Sequence, residues 1–319
     1  MAQKKMILDL DTGVDDALAL ALAVADPRVD LIGIVSSYGN NTIEVTTQNA
    51  LDLLHLLGQD DVPVYVGLGH SSMTDSFEVM PISKEIHGDN GVGNVELEQS
   101  PRQAETMSGV DFIIQAAKEY TSDLIIVPTG PLTNLAAALT IEPSIAHQIG
   151  DVTLMGGALT VRGNVTAVTE ANINQDPEAA DYVFKHQENL TMVGLDVTLR
   201  TLLSKKETQQ WRHLGSKKGA IYADIFDYYI EAYDRLGIDH RGAALHDPLA
   251  VGVAIDPTYC TFLDLNMQVT LSKSSGDYGR TIGDNEKLLD PTFSRAAIDV
   301  DEERYTRDFM DFTASILAD

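Results

Sequence analysis

The chain has 319 residues, of which 44% are hydrophobic and 22% charged, a composition typical of a soluble globular protein. This length allows one domain or a domain with insertions, and one domain is the simplest assignment because the sequence shows no repeat, low-complexity tract or linker. The excess of 48 acidic over 22 basic residues gives a formal net charge of −26, which argues against binding to nucleic acid or to anionic membranes. No apolar run is long enough to cross a bilayer, no signal-peptide pattern is present and Cys260 is the single cysteine, so the sequence predicts a cytoplasmic protein without an intramolecular disulfide.

The segment 6–25, MILDLDTGVDDALALALAVA, contains an apolar strand followed by an apolar helix. Residues 6–10 predict a short buried strand. Val14–Ala25 carries apolar residues too densely for anything but a helix packed on a sheet. The turn between the two elements therefore falls at residues 11–13.

Four acidic side chains lie at this turn: Asp9 and Asp11 at the end of the strand, and Asp15 and Asp16 at the start of the helix. Because side chains alternate along a strand, the first two are expected to point to the same side. A helix N-terminus stabilises a carboxylate by about 0.3–1 kcal/mol, which accounts for one or two of these residues but not for all four. Like charges raise each other's pKa, so a cluster that stays ionised indicates a bound cation. Carboxylate oxygens without nearby His or Cys favour Ca²⁺ or Mg²⁺ over Zn²⁺.

Strands alternate with helices along the following two hundred residues or so. Further strands are predicted at 31–37, 62–66, 124–128, 152–155 and 190–195, and helices at 42–57, 108–120, 135–139, from 177, across 204–236 and at 249–255. This alternation predicts an α/β fold with an open, mostly parallel, Rossmann-like sheet flanked by helices. Short β-like runs at 259–263, 266–271 and 297–300 indicate a small antiparallel addition near the C-terminus, closed by a helix from Asp301.

Residues 67–107 interrupt this alternation with a long segment of low periodicity. Loops of this length in compact domains are usually functional lids or disordered segments. The run HGDNGVG at 87–93 contains three glycines, but it neither follows a predicted strand nor opens a helix, which argues against a phosphate-binding loop. We expect a mobile loop beside an active site.

The helical region 204–236 is rich in aromatic residues. Helical spacing brings Tyr222, Phe226 and Tyr229 onto one face. These rings are expected to lie in the core or at a subunit interface.

In open α/β sheets, ligands bind outside the carboxyl ends of the strands, where the polar clusters of this sequence also fall. DLDTGVDDALAL at 9–20 resembles the N-terminal aspartate fingerprint of the inosine-uridine-preferring nucleoside hydrolases. Further motifs of that family follow in order along nearly the whole chain: SYGN at 37–40, HGDNGVG at 87–93, PTGPLTNLA at 128–136, LMGGA at 154–158, DPEAA at 176–180 and HDPLAV at 246–251. The resemblance implies one nucleoside-hydrolase-like domain over residues 1–319, which cleaves the N-glycosidic bond of ribonucleosides to free base and ribose in nucleoside salvage.

The resemblance also implies a Ca²⁺ ion. Its ligands would be the carboxylates of Asp11, Asp16 and Asp247 and the backbone carbonyl of Thr129, with a water and two ribose hydroxyls completing the coordination sphere. Calcium accepts many oxygen ligands, so one ion can bind a vicinal diol and hold a water near C1′. Asp11 would then be the general base that takes a proton from the attacking water.

The sugar contacts that the resemblance implies involve side chains from three parts of the chain. Asp15 and Asn172 would bind the 2′-hydroxyl, Asn40 would orient the ribose and the water, and the 5′ side would be held by Asn164, Glu170 and the main chain of Met155. Loss of the base leaves an oxocarbenium-like sugar, which the pooled negative charge would stabilise. The family usually has an aromatic residue where this chain has Ala171, so we expect an altered fit behind the sugar.

His246 is the candidate general acid or leaving-group contact, because an imidazole can donate to a departing base near neutral pH. Outside this family, a His before Asp-Pro is ordinary, and helix capping explains most Asp-Pro pairs. His87 and Tyr233 are candidates for lining the base pocket, against the alternatives of a loop residue and a core residue.

Two other functions fit parts of the sequence. Residues 9–12, DLDT, match the nucleophile motif of haloacid-dehalogenase-type phosphatases, but phosphoryl transfer needs cationic groups and residues 6–27 contain no Lys or Arg. A non-catalytic protein that binds calcium and a nucleoside is the second alternative, although Asp11 and His246 favour catalysis. The sequence leaves the preferred nucleoside open, and the resemblance implies a homo-oligomer, tetramer or dimer, for which exposed aromatics near Tyr229 would suit an interface.

Overall fold

Strands and helices alternate through the first two hundred residues of the structure, as the sequence pattern predicts. The computed structural model describes residues 3–274 and 276–318. Its strands are β1 (Lys4–Leu10), β2 (Val29–Ser36), β3 (Val64–Val66), β4 (Leu124–Pro128), β5 (Asp151–Met155), β6 (Leu190–Val193), β7 (Leu202–Leu203), β8 (Ala243–Ala244), β9 (Cys260–Asp264), β10 (Met267–Val269), β11 (Thr281–Gly283) and β12 (Ser294–Val300).

The helices lie between these strands and after them. They are α1 (Val14–Ala25), α2 (Ile43–Leu57), α3 (Pro81–His87), α4 (Gly109–Tyr120), α5 (Thr133–Ile141), α6 (Ala171–Gln175), α7 (Pro177–His186), α8 (Leu195–Thr198), α9 (Lys205–His213), α10 (Lys217–Arg235), α11 (His246–Ile255) and α12 (Glu302–Leu317). None of the helices in the described part of the chain combines the length and apolar character that a membrane span requires.

The central sheet contains eight strands in the order β3-β2-β1-β4-β5-β6-β12-β9. All neighbouring pairs are parallel except β12 with β9, which confirms the predicted mostly parallel fold. The run 297–300, expected in the antiparallel addition, lies in β12, which continues the parallel series beside β6 and pairs antiparallel with β9. β10 and β11 form a separate antiparallel pair and do not extend the main sheet.

The first helix is buried along almost its whole length. Every residue from Val14 to Ala23 is buried, and α1 lies against α11 and α12. A helix that is apolar on all sides is stable only inside a protein, where each fully buried Leu contributes about 1.5–3 kcal/mol. This packing fixes the N-terminal end of α1 at the carboxyl edge of β1.

Four of the five aromatic residues of α10 belong to the core, and the fifth, Tyr228, is half-buried. Phe226 and Phe309 contact Trp211 edge-on, and Tyr222 and Tyr229 are 1% and 3% exposed. The expectation of exposed aromatics near Tyr229 at an interface is therefore wrong, because the helix turns this face inward.

The long segment 67–107 is bonded to the helices beside the sheet and contains α3. Asp176, the N-cap of α7, accepts hydrogen bonds from the backbone N–H and hydroxyl of Ser72, each at 2.7 Å, and from the Thr133 hydroxyl at 2.9 Å. Further along, the side chain of Asn49 donates to the Asn90 carbonyl at 2.8 Å. The segment is thus anchored at both its start and its glycine-rich turn.

Candidate active site

The polar residues singled out in the sequence converge at the carboxyl edge of the central sheet. Asp11 follows β1, Asn40 follows β2, Thr129 follows β4 and Met155 ends β5. The N-terminal end of α11 brings Asp247 to the same place from more than two hundred residues along the chain. This edge is where open parallel sheets bind their ligands.

A buried cluster of carboxylates lies at the centre of this edge. Asp15, Asp16 and Asp247 each offer an oxygen, and these oxygens lie within 4.8 Å of one another. The residue that the resemblance leaves out of the metal site, Asp15, is thus part of this group. Asp11 lies next to it, and its charge interacts with those of Asp16 and Asp15.

Asp16 is held in place by donors from three segments. Its carboxylate accepts hydrogen bonds from the backbone N–H of Gly13 at 2.7 Å, the Thr129 hydroxyl at 2.7 Å and the Asn40 side chain at 3.2 Å. Asp16 therefore also caps α1, whereas Asp247 is not the N-cap of its helix. Helix capping therefore explains one of the contacts of Asp16, and it does not explain why the other carboxylates lie beside it.

Asp11 is held on one side only. Its Oδ2 accepts the backbone N–H of Asn40 at 2.7 Å, while its Oδ1 is buried and has no hydrogen-bond partner among the described residues. The close approach depends on Gly39, because a Cβ there would lie 2.1 Å from Asp11 Oδ2. Asp15 Oδ1 is likewise buried without a partner in the described part of the chain.

Buried carboxylates without partners are costly, and their surroundings shift their pKa values upward. Burial raises the pKa of Asp15 to about 7, with the neighbouring charge of Asp16 adding to the effect. Burial, and then the charges of the other three aspartates, raise the pKa of Asp247 well above its usual range. A cation bound to these oxygens would give the unpartnered atoms a ligand and would offset the repulsion between the charges. A donor set made only of oxygens suits a hard divalent ion.

Asp9 does not join the cluster, which corrects the expectation that it points to the same side as Asp11. Its Oδ1 accepts a hydrogen bond from the Asn134 side chain at 2.8 Å, toward the start of α5. The reason is that β1 ends at Leu10, so the two-residue alternation of a strand does not extend to Asp11. The group of acidic side chains at this edge is therefore completed by Asp247 instead of Asp9.

Three of the residues that the resemblance places at the sugar, Met155, Glu170 and Asn172, lie together next to Thr129, which bonds to Asp16. The Asn172 side chain donates to the backbone carbonyls of Thr129 at 2.6 Å and Met155 at 3.1 Å. The Glu170 carboxylate is 2% exposed and accepts backbone N–H groups of Gly157, Asn172 and Ile173 at 3.0–3.2 Å. Glu170 thus caps α6 and fixes Asn172.

Asn164 differs from these residues in its exposure to solvent. Its side chain is exposed on the loop between β5 and α6, whereas Glu170 and Asn172 are buried. Nothing in its position assigns it a contact, and its sugar-binding role stays a prediction.

A group of aromatic and imidazole rings covers the other side of the cluster. His246 Nε2 lies 2.8 Å from the Tyr233 hydroxyl, and His246 Nδ1 lies 2.8 Å from Thr198 Oγ1. The Tyr233 hydroxyl donates to that of Tyr229 at 3.4 Å, and the Tyr229 ring lies 5.5 Å from the His87 ring. The two sequence candidates for the base pocket, His87 and Tyr233, are thus brought together around one buried wall.

Sequence reasoning missed two members of this wall. Tyr229 lies one helical turn before Tyr233 on α10, and this spacing was a usable signal. The contact of Thr198 with His246 could not be predicted from the sequence, because the two residues are 48 positions apart and only the tertiary fold brings them together.

Both histidines of this wall are neutral at pH 7. Burial lowers the pKa of His246 to about 4 and, together with the charge of His246, lowers that of His87 to about 3. His87 Nδ1 accepts the backbone N–H of Val14 at 3.2 Å, so its hydrogen is on Nε2. These rings therefore contribute hydrogen bonds and not positive charge in the protein without a cation.

Comparisons with known proteins agree with this geometry. The chain matches the family model "Inosine-uridine preferring nucleoside hydrolase" over residues 6–307. It is 53% identical to the solved structure of a purine-preferring ribonucleoside hydrolase from Gardnerella vaginalis, which it matches with a TM-score of 0.96 over 99% of both chains.

Relatives with similar sequences are also named as enzymes that act on nucleosides. The chain is 33% identical to a pyrimidine-specific ribonucleoside hydrolase, RihB, of Escherichia coli over 95% of both chains. It is 35% identical to a probable uridine nucleosidase 2 of Arabidopsis thaliana over 82% of this chain and 80% of the relative. The chain therefore belongs to the inosine-uridine preferring nucleoside hydrolase family, and it is an enzyme that hydrolyses the N-glycosidic bond of ribonucleosides.

Proposed function

We propose that this enzyme holds a Ca²⁺ ion between Asp11, Asp16, Asp247 and the backbone carbonyl of Thr129, and that its hydrolysis of ribonucleosides depends on that ion. The observation that carries the proposal is the buried cluster of carboxylate oxygens, with Asp11 Oδ1 left without a protein partner among the described residues. The membership of Asp15 in the cluster makes it a further potential ligand. When bound, Ca²⁺ supplies positive charge and coordination positions for a water and for the ribose diol.

Asp11 is proposed as the general base. Asn40 holds Oδ2 through its backbone N–H, which leaves Oδ1 available to accept a proton from the attacking water. In the reaction, the water oxygen bonds to C1′, the bond between C1′ and the base nitrogen breaks, and its electron pair leaves with the base. The buried setting that raises the pKa of Asp11 also makes its carboxylate a stronger proton acceptor.

The sugar is proposed to lie between the carboxylates and the Glu170–Asn172 turn. Asp15, whose Oδ1 lacks a partner in the described chain, would accept a hydrogen bond from the 2′-hydroxyl, and Asn172 would contact the same hydroxyl. Asn40 would orient the ribose and water, while Asn164, Glu170 and the Met155 main chain would hold the 5′ side. Because Glu170 already receives backbone N–H groups, we expect its main contribution to be the placement of Asn172.

His246 is proposed to assist departure of the base as a neutral hydrogen-bond donor. The pKa of His246 is lowered to about 4 by burial, which argues against a permanently charged acid at this position. Its Nε2 faces Tyr233, whose hydroxyl reaches toward Tyr229. This hydrogen-bonded wall can donate to a purine or pyrimidine ring as negative charge develops on it.

Replacing His246 with Ala should slow inosine more than a riboside with an activated leaving group. Inosine needs help in stabilising the departing base, whereas p-nitrophenolate leaves without it. We expect kcat for inosine to fall by about 10²-fold or more, and kcat for p-nitrophenyl riboside to change by less than about tenfold. Steady-state rates measured with calcium present would check this, and equal losses on both substrates would exclude a leaving-group role.

Purine nucleosides are proposed as the preferred class. The solved relative that is 53% identical to this chain is named purine-preferring, whereas the relatives named for pyrimidines or uridine are 33–35% identical. Ribose release from inosine, guanosine, adenosine, uridine and cytidine, with and without a calcium chelator, tests the function and this preference together. We expect release from purine nucleosides with calcium and none with chelator. Faster turnover of uridine than of inosine would contradict the preference, and release unchanged by chelator would contradict the metal.

A role in cytoplasmic nucleoside salvage and a dimeric or tetrameric state stay predictions from the family resemblance. Light scattering on the purified enzyme checks the oligomeric state, for which a monomer would be the contrary result.

A further inference from the structure

Thr198 contacts the ring nitrogen of His246 that faces away from Tyr233. It is fully buried at the end of α8, the single helical turn that follows β6. Its Oγ1 lies 2.8 Å from His246 Nδ1, and no other side chain in the described part of the chain is recorded at that nitrogen. This inference rests on the proposed role of His246 at the leaving group.

The hydrogen bonds around His246 favour one arrangement of hydrogens. The Tyr233 hydroxyl donates to the Tyr229 hydroxyl at 3.4 Å. At the 2.8 Å contact between the Tyr233 hydroxyl and His246 Nε2, the direction of the hydrogen bond depends on the histidine tautomer. With the single hydrogen of Tyr233 directed to Tyr229, Nε2 donates and Tyr233 accepts. A neutral imidazole has one N–H and one bare nitrogen. In that arrangement the bare nitrogen is Nδ1, and Thr198 donates its hydroxyl hydrogen to it.

We propose that Thr198 is a positioning residue that fixes His246 in the tautomer with hydrogen on Nε2. The hydrogen bonds then all run in one direction, from Thr198 through His246 and Tyr233 to Tyr229. The last of these rings lies beside His87, on the wall proposed to face the base. Without the hydroxyl of Thr198, the ring is free to adopt the other tautomer, in which Nε2 accepts a hydrogen from Tyr233 and cannot donate toward the leaving group.

The turn that carries Thr198 is fixed independently of this contact. Asp196, in the same turn, accepts the backbone N–H groups of Leu159 at 2.9 Å and Thr160 at 2.7 Å, and the Thr160 hydroxyl at 2.6 Å. A substitution of Thr198 that keeps its shape therefore leaves the backbone of α8 anchored. The effect of such a substitution can be assigned to the hydroxyl.

A matched pair of variants tests the proposal. Thr198→Val removes the hydroxyl and keeps the branched shape, whereas Thr198→Ser keeps the hydroxyl. Each calcium-loaded enzyme is assayed with inosine and with p-nitrophenyl riboside. We expect Thr198→Val to lower kcat for inosine by about tenfold or more with KM changed by less than about threefold, and to leave kcat for p-nitrophenyl riboside within about threefold. Thr198→Ser should restore the inosine rate to near that of the wild type.

Equal losses on both ribosides in Thr198→Val, or an unchanged inosine rate, would overturn the proposal. A direct readout comes from long-range ¹H–¹⁵N spectra of histidine-labelled enzyme, with His246 assigned from the signal missing in His246→Ala. Hydrogen on Nε2 in the wild type supports the proposal, and hydrogen on Nδ1 overturns it. Failure of the proposed function is recognised separately, because the wild-type enzyme would then release no ribose from either substrate.

Discussion

Replacing Asp11 with Asn should abolish ribose release while the fold is kept. The amide retains the size of the side chain and the oxygen that Asn40 binds, but it cannot take a proton from water. Loss of a general base alone costs about 10²–10⁴-fold in rate, and a weakened metal site would add to this loss. Rates are therefore measured at several calcium concentrations, up to saturation.

Asp9→Asn is the matched control for this variant. Asp9 is a buried aspartate two residues away that bonds to Asn134 and takes no part in the carboxylate cluster. The substituted amide can still accept from Asn134, so we expect its rate to stay within about tenfold of wild type. An Asp11→Asn enzyme with wild-type turnover would exclude Asp11 as the base, and equal losses in both variants would assign the effect to the fold.

Removal of calcium should make the stability of the enzyme strongly dependent on pH. Burial raises the pKa of Asp9 and of Asp15 to about 7 in the folded protein, whereas an unfolded aspartate titrates near 3.9. Between these values the unfolded chain binds fewer protons than the folded chain, so the free energy of unfolding falls as pH rises from about 4 to about 7. The metal-free enzyme should therefore melt at a lower temperature at pH 8 than at pH 5.

Calcium should reverse part of this trend. The proposed ion would bind the ionised carboxylates, so it would compete with protons and stabilise the folded enzyme more at pH 8 than at pH 5. Calorimetric melting curves with calcium and with chelator, at both pH values, check the expectation. The pH dependence of Asp9, which lies outside the cluster, should persist in both samples. Equal calcium stabilisation at pH 5 and pH 8 would contradict a site made of protonatable carboxylates.

The parallel sheet could be predicted from the sequence because its signals are local. Apolar runs bounded by polar turns predicted β4 and α1 with the first and last residues that the structure shows. The place of β12 in the sheet could not be predicted, because it pairs with β6 only after an excursion of about a hundred residues, beyond the reach of any local pattern. Strand pairing across such a distance depends on tertiary packing.

The site was predictable where one turn or one motif defines it. The DLDTGVDD stretch indicated a cation site, but strand alternation misplaced Asp9 because the strand ends before Asp11. Asp247 entered the site only through the family resemblance, since Asp-Pro at a helix start has the same appearance as an ordinary cap. Thr198 and its contact with His246 had no sequence signal, because side chains that meet across the fold leave no periodic pattern.

Calcium binding to the isolated enzyme tests the central claim most directly. Chelator-treated wild type and Asp16→Ala are titrated with CaCl₂ in a calorimeter at pH 8. Buried oxygens of Asp15, Asp16 and Asp247 within 4.8 Å of one another predict saturable binding of one ion per chain to the wild type, and binding weaker by about tenfold or more in the variant. No saturable binding to the wild type, or the same affinity in both proteins, would contradict it.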